Sequence, residues 1–228
     1  MQDLINIFDT HSHYDDPRFD GVREELVASL FDRGISGIIH AAVDFKSSEY
    51  GTAAAKSYEK YYAAVGIHPE NLYDAQGDYI NRLREAALSC KKVVAIGEIG
   101  LDYHYEGYDR EAQIKVFREQ IVLANELSLP IIVHCRDAVG DCMDILRELK
   151  PKGVMHCFSG SEETAKELIS LGMYIGFTGA LTFKNSKKAQ RVAQYLPIDR
   201  LLLETDCPYM APEPFRGKTC DSSMIRFT

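Results

Sequence analysis

Short apolar runs rich in Ile, Val, Leu and Tyr recur along the chain at residues 6–10, 37–43, 61–67, 93–98, 130–134, 153–156, 173–177 and 201–205. Each gives way to a polar turn and then to a longer stretch whose apolar residues return every three or four positions. Arg110–Leu127 (REAQIKVFREQIVLANEL) and residues 138–149 (AVGDCMDILREL) are examples. A period near 3.6 marks a helix with one buried face, whereas apolar runs without polar alternation mark strands covered on both faces. Strand then helix, repeated, requires parallel strands joined by right-handed crossovers, which build either an open doubly wound sheet or a closed barrel. Eight such units favour the barrel, so the predicted fold is an α/β TIM (β/α)8 barrel. No fixed-period repeat, low-complexity tract or Gly/Ser/Pro-rich linker divides the chain, and residues 1–228 are expected to form a single domain.

The eighth unit is short. Its apolar run stops near Asp206 and is followed by a Pro-rich loop, APEPFRGKTC. Asp221 is placed to cap a helix beginning at Ser222, but Thr228 ends it after about two turns, fewer than the outside of a barrel strand normally needs. The expectation is a C-terminally shortened barrel whose eighth helix is truncated or missing, with either a further tail or a partner to cover the exposed strands.

Composition narrows the function. The N-terminus, MQDLINIFDT, lacks a basic region followed by an apolar stretch, and no window reaches the roughly 20 apolar residues of a membrane span, so a soluble cytoplasmic protein is expected. The cysteines at 90, 135, 142, 157, 207 and 220 form no CxxC pair and read as reduced thiols. A formal charge of −8 argues against a protein that grips nucleic acid by bulk attraction, so any such contact must be local. Lys184, Lys187, Lys188 and Arg191, with Arg216 and Lys218, form either small phosphate-facing patches or solvated faces.

In a parallel barrel the C-terminal strand ends converge on one mouth, and the side chains there carry the chemistry. Of the seven histidines, His11, His13, His68, His134 and His156 stand at strand ends, accompanied by Glu98 and Asp206. His11 and His13 are separated by one residue and project to the same side of extended backbone, so two imidazoles can meet one ion. Glu98, His134, His156 and Asp206 add the nitrogen and oxygen ligands a divalent ion takes. Six ligands exceed the need of one catalytic ion with an open position, which implies two ions sharing Glu98 as a bridge. Barrels of this kind often bridge their ions with a carbamylated lysine, but here Lys91 and Lys92 open the fourth strand and none ends it. Cys135, Cys157 and Cys207 each follow a ligand by one residue and are expected to turn into the core. His40 and His104 are read as structural, and Glu204 as either a ligand or a carboxylate that orients one.

These residues fall in segments that resemble one family throughout the chain: DTHSHYD at 9–15, GIHPE at 66–70, GEIGLDY at 97–103, HCR at 134–136, HCFSG at 156–160 and ETDCPYMAPEPFRGK at 204–218. The pattern is similar to that of the TatD metal-dependent deoxyribonucleases. The resemblance implies one ion at His11, His13, Glu98 and Asp206 and a second at Glu98, His134 and His156. It also implies a divalent-metal-dependent exonuclease that removes nucleotides from the 3′ end of DNA, single strands preferred. The family's C-terminal helix is the feature this sequence lacks.

The expected mechanism is in-line attack of an activated water on a phosphodiester, with Asp206 as base, Glu98 holding the metals, and His68 and Arg136 donating to phosphate oxygens. Tyr103 or Phe158 is placed to stack a base, or simply to pack against a loop. Magnesium, manganese and zinc all suit the donor set. Two rival readings keep the same residues: hydrolysis of a small amide or ester, including an aminoacyl ester on transfer RNA, and an inactive metal-binding truncated barrel.

Overall fold

The computed structural model describes residues 6–228; residues 1–5, on which the expectation of no N-terminal leader partly rests, lie outside the described residues. Eight parallel strands succeed one another in chain order around the sheet. They are β1 (Ile7–Ser12), β2 (Ile35–Ala41), β3 (Tyr61–Val65), β4 (Val93–Asp102), β5 (Ile131–Arg136), β6 (Gly153–Met155), β7 (Tyr174–Phe177) and β8 (Leu201–Leu203). The crossovers carry α1 (Arg23–Asp32), α2 (Phe45–Ser57), α3 (Tyr79–Leu88), α4 (Arg110–Leu127), α5 (Val139–Leu149), α6 (Glu162–Ser170) and α7 (Lys187–Tyr195). This is the expected TIM-type barrel, nearly closed. Polar side chains start several helices where the sequence requires: the carboxylates of Asp44 and Asp109 and the hydroxyl of Ser161 accept the backbone N–H groups of Ser47, Ala112 and Thr164.

Two apolar layers hold the barrel. Ala41, Ala64, Ala95, Ile132 and Val154 fill its interior, where small side chains suit the narrow space. On the outer face Ile38, Val65, Ile96, Ile131, Val133 and Ile175 are buried beneath helix residues such as Leu30, Leu83, Phe117, Ile121, Leu146, Leu168 and Val192.

The ring closes differently from its other seven contacts. Between β1 and the segment after β8 there is one bridge, Ser12 to Cys207, with His13 N donating to Cys207 O at 2.8 Å and Asp206 N donating to His11 O at 3.0 Å. No α-helix follows β8 among the described residues; a 3-10 turn, Ser222–Phe227, stands there instead, capped by Asp221 as expected. Leu203 on β8 remains 36% exposed, on the uncovered outer face that the short eighth unit predicts.

Strands β4, β6 and β8 depart from their predicted bounds for physical reasons. β4 runs on to Asp102 because its pairing with β5 slips between Ile96 and Ile99 and then resumes. Gly100 permits this, since at φ +151° a Cβ would lie 1.9 Å from the carbonyl oxygen of His134. β6 and β8 are only three residues each, so His156, Glu204 and Asp206 sit just past the strand ends.

Candidate metal centre

The strand ends deliver the predicted donors to one place. The Nε2 atoms of His11 and His13 are 3.0 Å apart, and Asp206 Oδ1 lies 3.6 Å from the first and 3.2 Å from the second. Glu98 Oε2 faces the same point, 3.3 Å from His11 Nε2 and 3.6 Å from His13 Nε2. Its other oxygen, Oε1, faces a second group: His134 Nδ1 and His156 Nε2 are both at 2.8 Å. One buried carboxylate therefore points its two oxygens at two clusters of imidazoles. The slip in the β4–β5 pairing falls beside it, and such irregularities re-aim side chains.

The rings are held from behind. His134 presents Nδ1 to Glu98 because its Nε2 is bonded to Asp102 Oδ2 at 2.9 Å. His156 Nδ1 lies 3.4 Å from Glu204 Oε1, which also accepts the backbone N–H of Cys157 at 2.6 Å. Glu204 is thus behind a donor and outside the donor groups themselves. Its carboxylate fits because position 176 is glycine: a Cβ there would lie 2.5 Å from Glu204 Oε2. A carboxylate behind a ligating imidazole fixes its orientation and raises its basicity. Asp102 had no role assigned from sequence; its only signal was a place two residues beyond Gly100 on an extended strand.

His68 is a separate case. Its Nε2 is 3.8 Å from Glu98 Oε1, close enough to group with Glu98 and His134 as a geometric donor set. However, its Nδ1 accepts the backbone N–H of Glu70 at 3.2 Å, which leaves the proton of the neutral ring on Nε2. Burial and the neighbouring His134 push its pKa down to about 3, so the ring is neutral. A neutral Nε2–H suits donation to an oxygen better than ligation, in keeping with the expected place of His68 outside the ligands.

The remaining expectations divide. His40 is buried behind β2 against Ser47 at 3.1 Å, and His104 pairs with Asp137 at 2.8 Å, both apart from the donor groups. Cys207 is core, but Cys135 and Cys157 are half-buried in the cavity wall, a correction to their predicted core placement. Cys135, near the end of β5, and Cys157, just past the end of β6, border the mouth and so face the cavity. Tyr103 is committed elsewhere, bonded to Asp141 at 2.7 Å and stacked on Tyr108. Phe158 does line the cavity, as do Tyr105 and Tyr209, which the sequence reading passed over. Lys184, Lys187, Lys188, Arg191, Arg216 and Lys218 are exposed and line no part of it.

The donor set suits divalent ions, and its charge balance shows why. Burial opposes charge on His13, but the hydrogen bond and charge of Asp206, with Glu98, raise its pKa to about 9. Asp102 and Glu98 likewise overcome burial and lift His134 to about 9. Glu98, although buried, is held well below the carboxylate range by His156 and His11. In the metal-free protein, imidazolium protons thus supply the positive charge that the carboxylates require. Raised pKa values stabilise the folded state fully below the usual histidine value near 6.5, and that stabilisation fades as pH rises toward 9. A divalent ion held by these residues would take the place of those protons and bind better as they leave. The melting temperature of stripped protein is expected to fall between pH 6.5 and 9 while that of metal-loaded protein holds, widening the gap; a constant gap would contradict this balance.

The cavity above the donors is about 1020 Å³. Comparison with known proteins gives this centre its context. The family model for TatD-related DNase matches residues 8–228. This chain belongs to that family. The TatD-family chain is 40% identical over 224 residues to an uncharacterized metal-dependent hydrolase, YabD, of Bacillus subtilis, covering 97% of this chain and 88% of the relative. It is 35% identical over 210 residues to a Cronobacter sakazakii protein named 3′-5′ ssDNA/RNA exonuclease TatD, covering 90% and 80%. Its structure superposes on the TatD homolog YjjV of Escherichia coli K12 with a TM-score of 0.90 at 33% identity, covering 97% and 87%. The protein is a metal-dependent hydrolase of the TatD type. Among the described residues no helix is long and apolar enough to cross a membrane.

Proposed function

We propose that this hydrolase cleaves phosphodiester bonds from the 3′ end of single-stranded DNA, using two divalent ions shared through Glu98. The observation that carries the two-ion reading is the division of the Glu98 carboxylate between two donor groups, His11, His13 and Asp206 on one side and His134 and His156 on the other. Such ions, when bound, neutralise phosphate charge and make water acidic enough to ionise near neutral pH.

The protein's own groups take the other roles. Asp206, with Oδ1 at the edge of the first donor group, accepts the proton of the attacking water. His68 donates Nε2–H to a phosphate oxygen. Arg136, exposed at the mouth and bonded through Nη1 to the Tyr105 hydroxyl at 3.3 Å, supplies a second donor of fixed charge. Asp15, Asp16, Asp20, Asp44 and Glu70 line the cavity and repel a phosphate backbone, so the strand lies away from them, toward Phe158 and Leu181. The aromatic face of Phe158 accepts any base, in keeping with end-directed cleavage without sequence preference. The exonuclease name of the Cronobacter relative supports this substrate class and extends it to RNA.

Metal-stripped protein incubated with 3′-labelled and 5′-labelled single-stranded DNA, with magnesium, manganese or zinc restored in turn, tests the reading. Metal-dependent shortening from the 3′ end is expected. Intact DNA with every ion, together with turnover of small esters or an aminoacyl ester, would replace it by the small-ester alternative.

A further inference from the structure

The first donor group straddles the closure of the barrel. His11 and His13 come from β1, while Asp206 comes from the segment after β8, and few backbone hydrogen bonds join the two. Something else must fix their spacing, and the buried residues beneath them provide it.

Asp9, fully buried on β1, receives four hydrogen bonds. Oδ1 accepts the backbone N–H of His11 at 3.3 Å and of Thr205 at 3.0 Å. Oδ2 accepts the hydroxyls of Thr205 and Ser222, each at 2.6 Å. One carboxylate thus grips a donor residue on one side and the neighbour of Asp206 on the other. Ser222 belongs to the last turn of the described chain, 213 residues from Asp9. Its backbone N–H donates to the Tyr14 hydroxyl at 3.0 Å, and the two hydroxyls are 2.7 Å apart. Since the Ser222 proton is spent on Asp9, Tyr14 must donate to Ser222 Oγ, so every hydroxyl hydrogen in the chain has one direction. Tyr14 is itself fully buried and follows His13 directly.

We infer that Asp9, Tyr14 and Ser222 are positioning residues that set the spacing of His11, His13 and Asp206, so that the C-terminal turn governs how tightly the ion at those three residues is held. None of the three lies among the donor groups, and none lines the cavity. Their effect therefore passes through the donors, as a carboxylate behind a ligand acts on metal affinity. The inference rests on the two-ion reading above.

The test is a calorimetric titration of the metal-stripped protein (residues 1–228) with manganese, for the parent, Ser222→Ala and Ser222→Thr, beside melting scans of each without metal. The parent is expected to bind two ions. Ser222→Ala should weaken one of them by about 10- to 100-fold and leave the other unchanged. Ser222→Thr, which keeps the hydroxyl, should restore most of the loss. Equal binding in the parent and Ser222→Ala would overturn the inference, as would parallel weakening of both ions in step with a lower metal-free melting temperature. A parent that binds a single ion would remove the two-ion reading instead. The inference would then stand if Ser222→Ala weakened that ion with melting unchanged, and fall if it did not.

Discussion

Glu98→Ala is expected to lower metal-dependent hydrolysis by at least about a thousand-fold, because both donor groups depend on one carboxylate. Ions at a phosphoryl centre supply several kcal/mol of charge stabilisation, and each 1.36 kcal/mol is a factor of ten in rate. Glu98 lies within 3.6 Å of His11 and His13 through one oxygen and 2.8 Å of His134 and His156 through the other. No other carboxylate among the described residues joins both sets. The variant also leaves raised histidine charges buried without their counterion, so the stripped protein should melt lower at neutral pH than the parent. Initial rates at saturating manganese, with metal content measured on the same samples, decide the matter. A variant within tenfold of the parent rate and holding its full metal content would show that Glu98 is dispensable.

Asp206→Asn is the second large effect, and it separates two roles that share one atom. Asparagine keeps the shape and a carbonyl oxygen that can face His13 Nε2, now 3.2 Å from Asp206 Oδ1, but it cannot take a proton. Loss of a general base costs about 10² to 10⁴ in rate. kcat is expected to fall by that amount and to stay low as manganese is raised to saturation. Full recovery at high metal would mean that Asp206 serves only to hold an ion, and the base would have to be sought elsewhere.

Much of the fold was readable because a covered parallel strand and an amphipathic helix leave different periods, and the strand order needed no long-range information once all connections were strand–helix–strand. The donors were readable for a similar reason: strand ends in a parallel barrel share a mouth, so His11, His13, Glu98, His134, His156 and Asp206 could be gathered without knowing a single distance. What escaped was whatever depends on contact between distant segments. Asp102 became meaningful only through His134 Nε2, and Asp9 only through Ser222 and Thr205. The length of β4 was hidden because its pairing slips within the GEIG segment, which breaks the alternation a reader counts along a strand. The basic residues around α7 could not be placed in advance either, since sequence proximity to a strand end says nothing about which face of the following helix they occupy.

The single Ser12–Cys207 bridge gives the barrel a mechanical asymmetry. Seven of its joints are ladders, stiff along their length, and the eighth is a clasp whose two halves carry different parts of one metal site. Local opening of a folded protein starts where the fewest backbone hydrogen bonds must break. Breathing of this molecule should therefore begin at the clasp and spread the active centre before it disturbs any other wall, so that an occupied centre fastens the ring it sits on.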